Sequence, residues 1–175
     1  IWQGRNPAQL EQAAQCLARG QLLGFPTETV YGLGADATQD EAVRGIFAAK
    51  GRPLDHPLIV HIAQAEDASE FADPIPDFAR VLMAAHWPGP LTLILPRRAH
   101  VAEVCAASQP SIGLRCPSHP VAQALLRAAR ELGVEVVLVG DRARVEPLLA
   151  RHNTAGLPLP IVHASEVVQM EEHTM

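Results

Sequence analysis

Short β-branched apolar runs alternate along this chain with longer Ala- and Leu-rich stretches that carry polar residues at helical spacing. Asn6-Pro7 reads as an N-cap followed by proline at the first helical position, predicting an Ala-rich helix to about Arg19, ended by Gly20. Leu22-Leu23-Gly24-Phe25 predicts a short buried strand broken by Pro26, and Thr27 to Ala35, with Gly32 and Gly34, reads as a loop. Thr38 and Glu41 have the spacing of a capping box for a helix to about Lys50. Pro53 and Pro57 enforce an extended connection into a strand over Leu58–Ile62. A helix over about Asp77 to His86, a turn at Trp87-Pro88-Gly89-Pro90, and strands over Leu91–Leu95 and Ser111–Arg115 follow. Ser118 is placed to cap a helix from His119 to about Leu132, with Pro120 in its first turn. Val134–Val139 predicts a strand, Asp141–His152 a helix and Ile161–His163 a last short strand. Strands alternating with helices give an α/β (mixed α+β) architecture built on a mixed sheet.

Composition narrows the function classes. The chain has 175 residues, 48% of them hydrophobic and 19% charged, with mean hydropathy +0.08, which suits one packed domain or one domain plus a short appendage and excludes disorder. Only 4% are aromatic, so the core must be built from Ala, Leu, Val and Ile. No apolar stretch is long enough to span a bilayer, and the first residues lack the charged and apolar regions of a signal peptide; no membrane partner is expected. Three cysteines, Cys16, Cys105 and Cys116, form no CxxC pair, which argues against a disulfide framework or zinc site and points to the cytoplasm. The net charge of −5 argues against a whole-surface nucleic-acid binder, though not against a local basic pocket. Of the fourteen Lys and Arg residues only Lys50 is a lysine, which invites a chemical explanation beside chance.

Four clusters can carry chemistry, and each also has a plainer reading. Thr27, Thr29 and Tyr31 follow a strand that ends in proline, where open α/β sheets bind ligands, and Gly32 and Gly34 would let a substrate approach the backbone; an ordinary Thr- and Gly-containing turn is the plainer reading. Lys50-Gly51-Arg52 sets an ammonium beside a guanidinium, a combination suited to a polyphosphate, although a lysine ending a helix also complements its dipole. His61 lies in an apolar strand and is either a ligand contact or a satisfied core histidine. Alternation puts Ser111, Gly113 and Arg115 on one strand face, where an inward cation wants an anion, a ligand or an internal ion-pair partner; Cys116 points the other way as packing.

Taken together and in order, these segments resemble the YrdC family, the threonylcarbamoyl-AMP synthases. The matching text is Gly24-Phe25-Pro26-Thr27-Glu28-Thr29-Val30-Tyr31-Gly32-Leu33-Gly34, then Ile46-Phe47-Ala48-Ala49-Lys50-Gly51-Arg52-Pro53, His56 to Ile62, Trp87 to Leu95, and Gly113-Leu114-Arg115-Cys116-Pro117 before His119-Pro120. The resemblance covers about residues 8 to 130. It implies a twisted mixed sheet with flanking helices around a concave basic cavity, and an activity joining L-threonine, bicarbonate and ATP into threonylcarbamoyl-adenylate for tRNA threonylcarbamoyladenosine modification, in concert with tRNA-modification proteins. By position, Thr27, Thr29, Tyr31, His61 and Arg115 are expected at threonine. Lys50, Arg52 and Ser111 are expected at the nucleotide, Lys50 and Arg52 as the catalytic cations, with Mg2+ on the phosphates. A second reading of the same fold is a non-catalytic module binding double-stranded RNA or tRNA.

The resemblance stops near Arg130. The family's Ser-x-Asn motif, which completes the nucleotide site, has no counterpart in the remaining residues. About residues 132 to 172 instead resemble a segment of PlsX-type phosphate acyltransferases, through Val139-Gly140-Asp141 and Ile161-Val162-His163-Ala164-Ser165-Glu166-Val167. The expected organisation is a YrdC-like domain over 1–130, C-terminally incomplete, and a strand-helix-strand segment of different origin over 131–175 that can complete the sheet.

Overall fold

A computed structural model describes residues 2–51, 53–140 and 162–163. Its helices are α1 (Pro7–Ala18), α2 (Asp40–Lys50), α3 (Ala68–Phe71), α4 (Asp77–His86) and α5 (Pro120–Glu131). Its strands are β1 (Trp2–Gln3), β2 (Leu23–Pro26), β3 (Tyr31–Asp36), β4 (Ile59–His61), β5 (Leu93–Pro96), β6 (Ser111–Arg115), β7 (Val136–Gly140) and β8 (Val162–His163). Six strands form one mixed sheet in the order β2-β3-β7-β4-β6-β5, and β1 pairs in parallel with β8. Within the large sheet only β4 and β6 run parallel; the other neighbours are antiparallel.

Alternation along β7 explains the layering. Val137 points into a core with Val43, Ile46 and Phe47 of α2 and Ala79 and Met83 of α4. Val136 and Leu138 point the other way, into a core with Leu10, Ala13, Ala14 and Leu17 of α1 and Val121, Leu125 and Ala129 of α5. Helices thus cover both faces of the sheet. The register aligns His61 with Val136 and with Arg115, so both chemistry-bearing side chains lie on the α1/α5 face, each as the last residue of its strand.

Several expectations change. The stretch from Tyr31 to Asp36 is a strand, and only residues 27–30 form the turn. The two glycines that suggested a loop sit where neighbours crowd the backbone: a Cβ on Gly32 would lie 2.4 Å from Leu138 Cδ1, and one on Gly34 2.7 Å from Phe25 Cε1. They admit core side chains close to the backbone. Thr38 does not cap α2; Gln39 takes the N-cap position without a side-chain bond, and the Thr38 N–H and hydroxyl both donate to Asp36 Oδ1. Nor does Ser118 cap α5, because His119 does so through Nδ1, which accepts from the Val121 N–H. Of the strand predicted over Ile161–His163, Val162–His163 is present and Ile161 lies outside the described residues, as does the predicted helix Asp141–His152.

Candidate active site

The β2–β3 turn is held by one hydroxyl. Thr27 Oγ1 donates to the Val30 carbonyl at 2.7 Å and accepts from the N–H groups of Val30 (3.2 Å) and Thr29 (3.4 Å). Because its proton goes to Val30, the 3.1 Å contact with Thr29 Oγ1 has Thr29 as donor. Thr29 Oγ1 in turn accepts from Arg115 Nη2 at 3.1 Å. Proton accounting therefore gives a directed chain from Arg115 through Thr29 and Thr27 to the Val30 carbonyl.

Arg115 also meets Glu28, whose Oε1 accepts from Nη2 at 2.6 Å while its Oε2 accepts from the Ser118 N–H at 3.2 Å. Nη2 has two protons, and Glu28 and Thr29 take both. The residues joined here are far apart in the sheet. β2 and β6 are four positions apart in strand order, roughly 19 Å in a flat sheet. A glutamate and an arginine side chain cannot bridge that gap, so the sheet and its hairpin must curl, making the α1/α5 side concave at this point. Burial alone would raise the Glu28 pKa. The Arg115 hydrogen bond and charge, with the N–H groups of Glu28 itself and Ser118, outweigh it and hold the carboxyl below its usual range.

His61 is buried beside Arg115. Its Nδ1 lies 3.2 Å from the Ile59 carbonyl, which can only accept, so Nδ1 carries the proton and Nε2 presents a lone pair. Burial, the largest influence, lowers the His61 pKa to about 4; the Ile59 carbonyl and Glu28 raise it and Arg115 lowers it. The ring is neutral at physiological pH. Two buried polar atoms among the described residues lack a partner, His61 Nε2 and Arg115 Nε. One is an acceptor and the other a donor, on adjacent parallel strands that end together. Orphaned buried groups of this kind are uncommon and call for a ligand or water.

The other expected residues are distributed differently. Lys50 is buried at the end of α2, which Gly51 closes in the left-handed conformation at φ 58°. Arg52 lies outside the described residues. Tyr31 opens β3 opposite Pro26, half-buried next to the turn. Ser111 is at the far end of β6, about 13 Å along the strand from Arg115, and pairs with Pro96. The structure thus brings together Thr27, Thr29, His61 and Arg115. It adds Glu28, which the sequence reading quoted but gave no role. The expectation that Arg115 wants an anion was the available signal; its partner 87 residues away was not.

The loop after β6 is fixed by Gln123, which donates through Nε2 to the Pro117 carbonyl at 2.7 Å and to Cys116 Sγ at 3.4 Å. Burial pushes the Cys116 thiol up, so it packs rather than reacts. A cavity of about 450 Å³ lies elsewhere, bordered by Asp40, Glu70, Glu103 and Glu135 together with Thr38 and His100. None of the expected site residues lines it, and its carboxylates would repel a triphosphate.

The structure is a mixed α/β sheet covered on both faces, with a guanidinium and a neutral imidazole at the carboxyl ends of two parallel strands, a place where α/β sheets commonly bind ligands. The family model Sua5_yciO_yrdC, described as "Telomere recombination", matches residues 15–146, and the chain belongs to that family. It is 46% identical over 123 residues to threonylcarbamoyl-AMP synthase of Bacillus subtilis (strain 168), covering 70% of this chain and 36% of that protein. It is 47% identical over 114 residues to threonylcarbamoyl-AMP synthase of Pyrococcus abyssi (strain GE5 / Orsay), covering 65% of this chain and 34% of that protein. The chain spans about a third of the length of these relatives. The crystal structure of P. abyssi Sua5 complexed with L-threonine superimposes with a TM-score of 0.82 at 34% identity, over 93% of this chain and 48% of that one. Among the described residues no helix is long and apolar enough to cross a membrane.

Proposed function

We propose that this chain carries the synthase domain of a threonylcarbamoyl-AMP synthase, joining L-threonine, bicarbonate and ATP with release of pyrophosphate. One observation carries the reading: the unpartnered acceptor at His61 Nε2 beside the unpartnered donor at Arg115 Nε. A β-hydroxy amino acid supplies the complement, its hydroxyl donating to His61 and its carboxylate accepting from Arg115. The relatives named above and the threonine complex support the choice of threonine.

In this reading Lys50 and Arg52 hold the triphosphate, Ser111 approaches the nucleotide, and Thr27, Thr29 and Tyr31 wall the amino-acid pocket. Bicarbonate and ATP are anions, so Lys50 and Arg52 concentrate them and offset their mutual repulsion, while Arg115 meets the threonine carboxylate. The threonine amine, having lost a proton, adds to the bicarbonate carbon and water leaves to give the carbamate; the carbamate oxygen then attacks the α-phosphorus, the bond to the β-phosphate oxygen breaks, and pyrophosphate leaves. The protein contributes positioning and stabilisation of charge on the α-phosphate, with no covalent nucleophile. Mg2+ bound through phosphate oxygens and water would neutralise charge on the triphosphate. Among the described residues no three His, Cys, Asp or Glu converge as a cage for it. The product then serves threonylcarbamoylation of tRNA adenosine. Three buried free cysteines accord with a reducing, cytoplasmic setting.

The test is pyrophosphate release that requires threonine and bicarbonate together; release without either, or none at all, overturns the reading. With no Ser-x-Asn motif in the chain, ATP affinity should be modest and fall further in Lys50→Ala. Equal ATP binding by calorimetry in wild type and K50A would remove Lys50 from the site.

A further inference from the structure

Glu28 has no role in the reaction as described, yet it is the residue that ties the site together. Its two carboxylate oxygens bridge three separate segments: the β2–β3 turn that carries it, the end of β6 through Arg115, and the start of the α5 loop through the Ser118 N–H. Glu28 does two things here. With Thr29 it takes both Nη2 protons of Arg115, so that the buried Nε–H is left as an unpartnered donor on the strand beside that of His61. It also balances the positive charge of Arg115. Arg115 contributes one positive charge, Glu28 one negative, and His61 and His119 are both held neutral, His119 chiefly by burial.

We propose that Glu28 is the specificity-determining positioning residue of the amino-acid pocket, making it accept a zwitterion in preference to a simple anion. The inference rests on the threonine reading above. A buried pocket with a net positive charge attracts any carboxylate or phosphate, whereas one whose guanidinium is already balanced gains little from a second uncompensated anion. A zwitterionic amino acid brings its own compensation. Its carboxylate takes the Arg115 Nε–H, its ammonium lies in the field of Glu28, and its hydroxyl meets His61 Nε2. Glu28 need touch no reacting atom for this; it acts through Arg115 and through charge.

The experiment compares L-threonine with 3-hydroxybutyrate, which keeps the carboxylate and hydroxyl but lacks the amine, by calorimetry on wild type and Glu28→Gln. Wild type should bind threonine at least about tenfold more tightly than 3-hydroxybutyrate. In E28Q threonine should weaken about tenfold or more while 3-hydroxybutyrate holds or tightens, reversing or abolishing the preference. A purely structural role would weaken both ligands by the same factor, and that result, or no change in either, overturns the proposal. Wild type that binds threonine but shows unaltered selectivity in E28Q defeats this inference alone; wild type that binds neither ligand defeats the threonine reading beneath it. Should E28Q fail to fold, Glu28→Asp decides. It keeps the charge but is one methylene too short to bridge Arg115 and Ser118, so the preference for threonine should survive at reduced affinity, and its loss overturns the proposal. An NMR titration of the His61 ring gives a readout without ligand: its pKa should fall further in E28Q, where the Arg115 charge is no longer balanced.

Discussion

Replacing Arg115 by methionine tests the electrostatic account of the site without any substrate. The Arg115 and Glu28 side chains are 11% and 19% exposed and meet at 2.6 Å. Charges about 4 Å apart interact by about 4 kcal/mol at an effective dielectric near 20. Desolvation of both groups offsets part of that gain. Removing one partner, however, leaves a carboxylate that stays desolvated with only the Ser118 N–H as a cross-chain donor. Breaking a buried pair in this way costs about 3–5 kcal/mol, and the residual exposure of Glu28 puts R115M near the lower end, about 3 kcal/mol at neutral pH. The sign with pH follows from Glu28. Its carboxyl is held below the usual range in the wild type, so the pair's contribution is present above the unfolded value of 4.5 and is lost as the pH falls through the lowered one. The deficit of R115M should therefore be largest near neutrality and shrink in acid, where Glu28 takes up a proton. Adding Glu28→Gln removes the stranded charge, and R115M/E28Q should recover to within about 1 kcal/mol of wild type. Urea denaturation followed by circular dichroism at two pH values measures all three proteins. A deficit under about 0.5 kcal/mol in R115M, the range of an ordinary surface substitution, refutes the reasoning. So does a double variant no more stable than the single one.

Two titrations should oppose each other. Glu135 is half-buried, and burial, then Glu70, Asp67 and Asp36, push its pKa to about 7 against relief from Arg130. The folded state therefore holds more protons than the unfolded one between pH 4.5 and 7, and stability falls as pH rises through that window; discounted for exposure, E135Q should gain about 1 kcal/mol above neutrality. His61, with a pKa lowered to about 4, acts oppositely, so its contribution is lost as pH falls from 6.5 toward 4. In E135Q the His61 slope should stand unmasked as a monotonic rise in stability from acid to neutral pH, and a flat profile by urea titration would contradict the assignment of a neutral His61. Gly32→Ala places a methyl 2.4 Å from Leu138 Cδ1 in the α1/α5 core, and overpacking of this kind costs about 1–3 kcal/mol. Adding Leu138→Val should restore part of the melting temperature; no loss in G32A would mean that the strand tolerates a side chain there.

What the sequence made legible was whatever local patterning governs. Helix α4 and strand β6 run as the periodicity placed them, and the alternation that set Arg115 on the face opposite the core-facing Ile112 and Leu114 holds in the structure. His61 and Arg115 were recognised as polar residues on apolar strands, and the burial of both makes that signal meaningful. The misreadings share one cause, that a residue's local habit was outweighed by a distant partner. Gly32 and Gly34 look like turn residues but serve packing by Leu138 and Phe25, over a hundred residues downstream in one case. Thr38 prefers the Asp36 carboxylate to a helix end, and the Ser118 N–H is drawn to Glu28. Glu28 itself passed as one polar residue among several in a turn, because only the curvature of the sheet brings it to Arg115.

The position of β7 has a consequence for how this molecule is made. Among the described residues, the last strand of the large sheet to be synthesised sits in its interior, bonded to β3 on one side and β4 on the other. Until residues 136–140 emerge, the hairpin of β2 and β3 and the trio β4, β6 and β5 are two separate half-sheets with facing, unsatisfied edges. Assembly on the ribosome must therefore wait for the C-terminal portion of the domain, and a chain stopped short of Val136 exposes two sticky borders that favour aggregation over a smaller native fold.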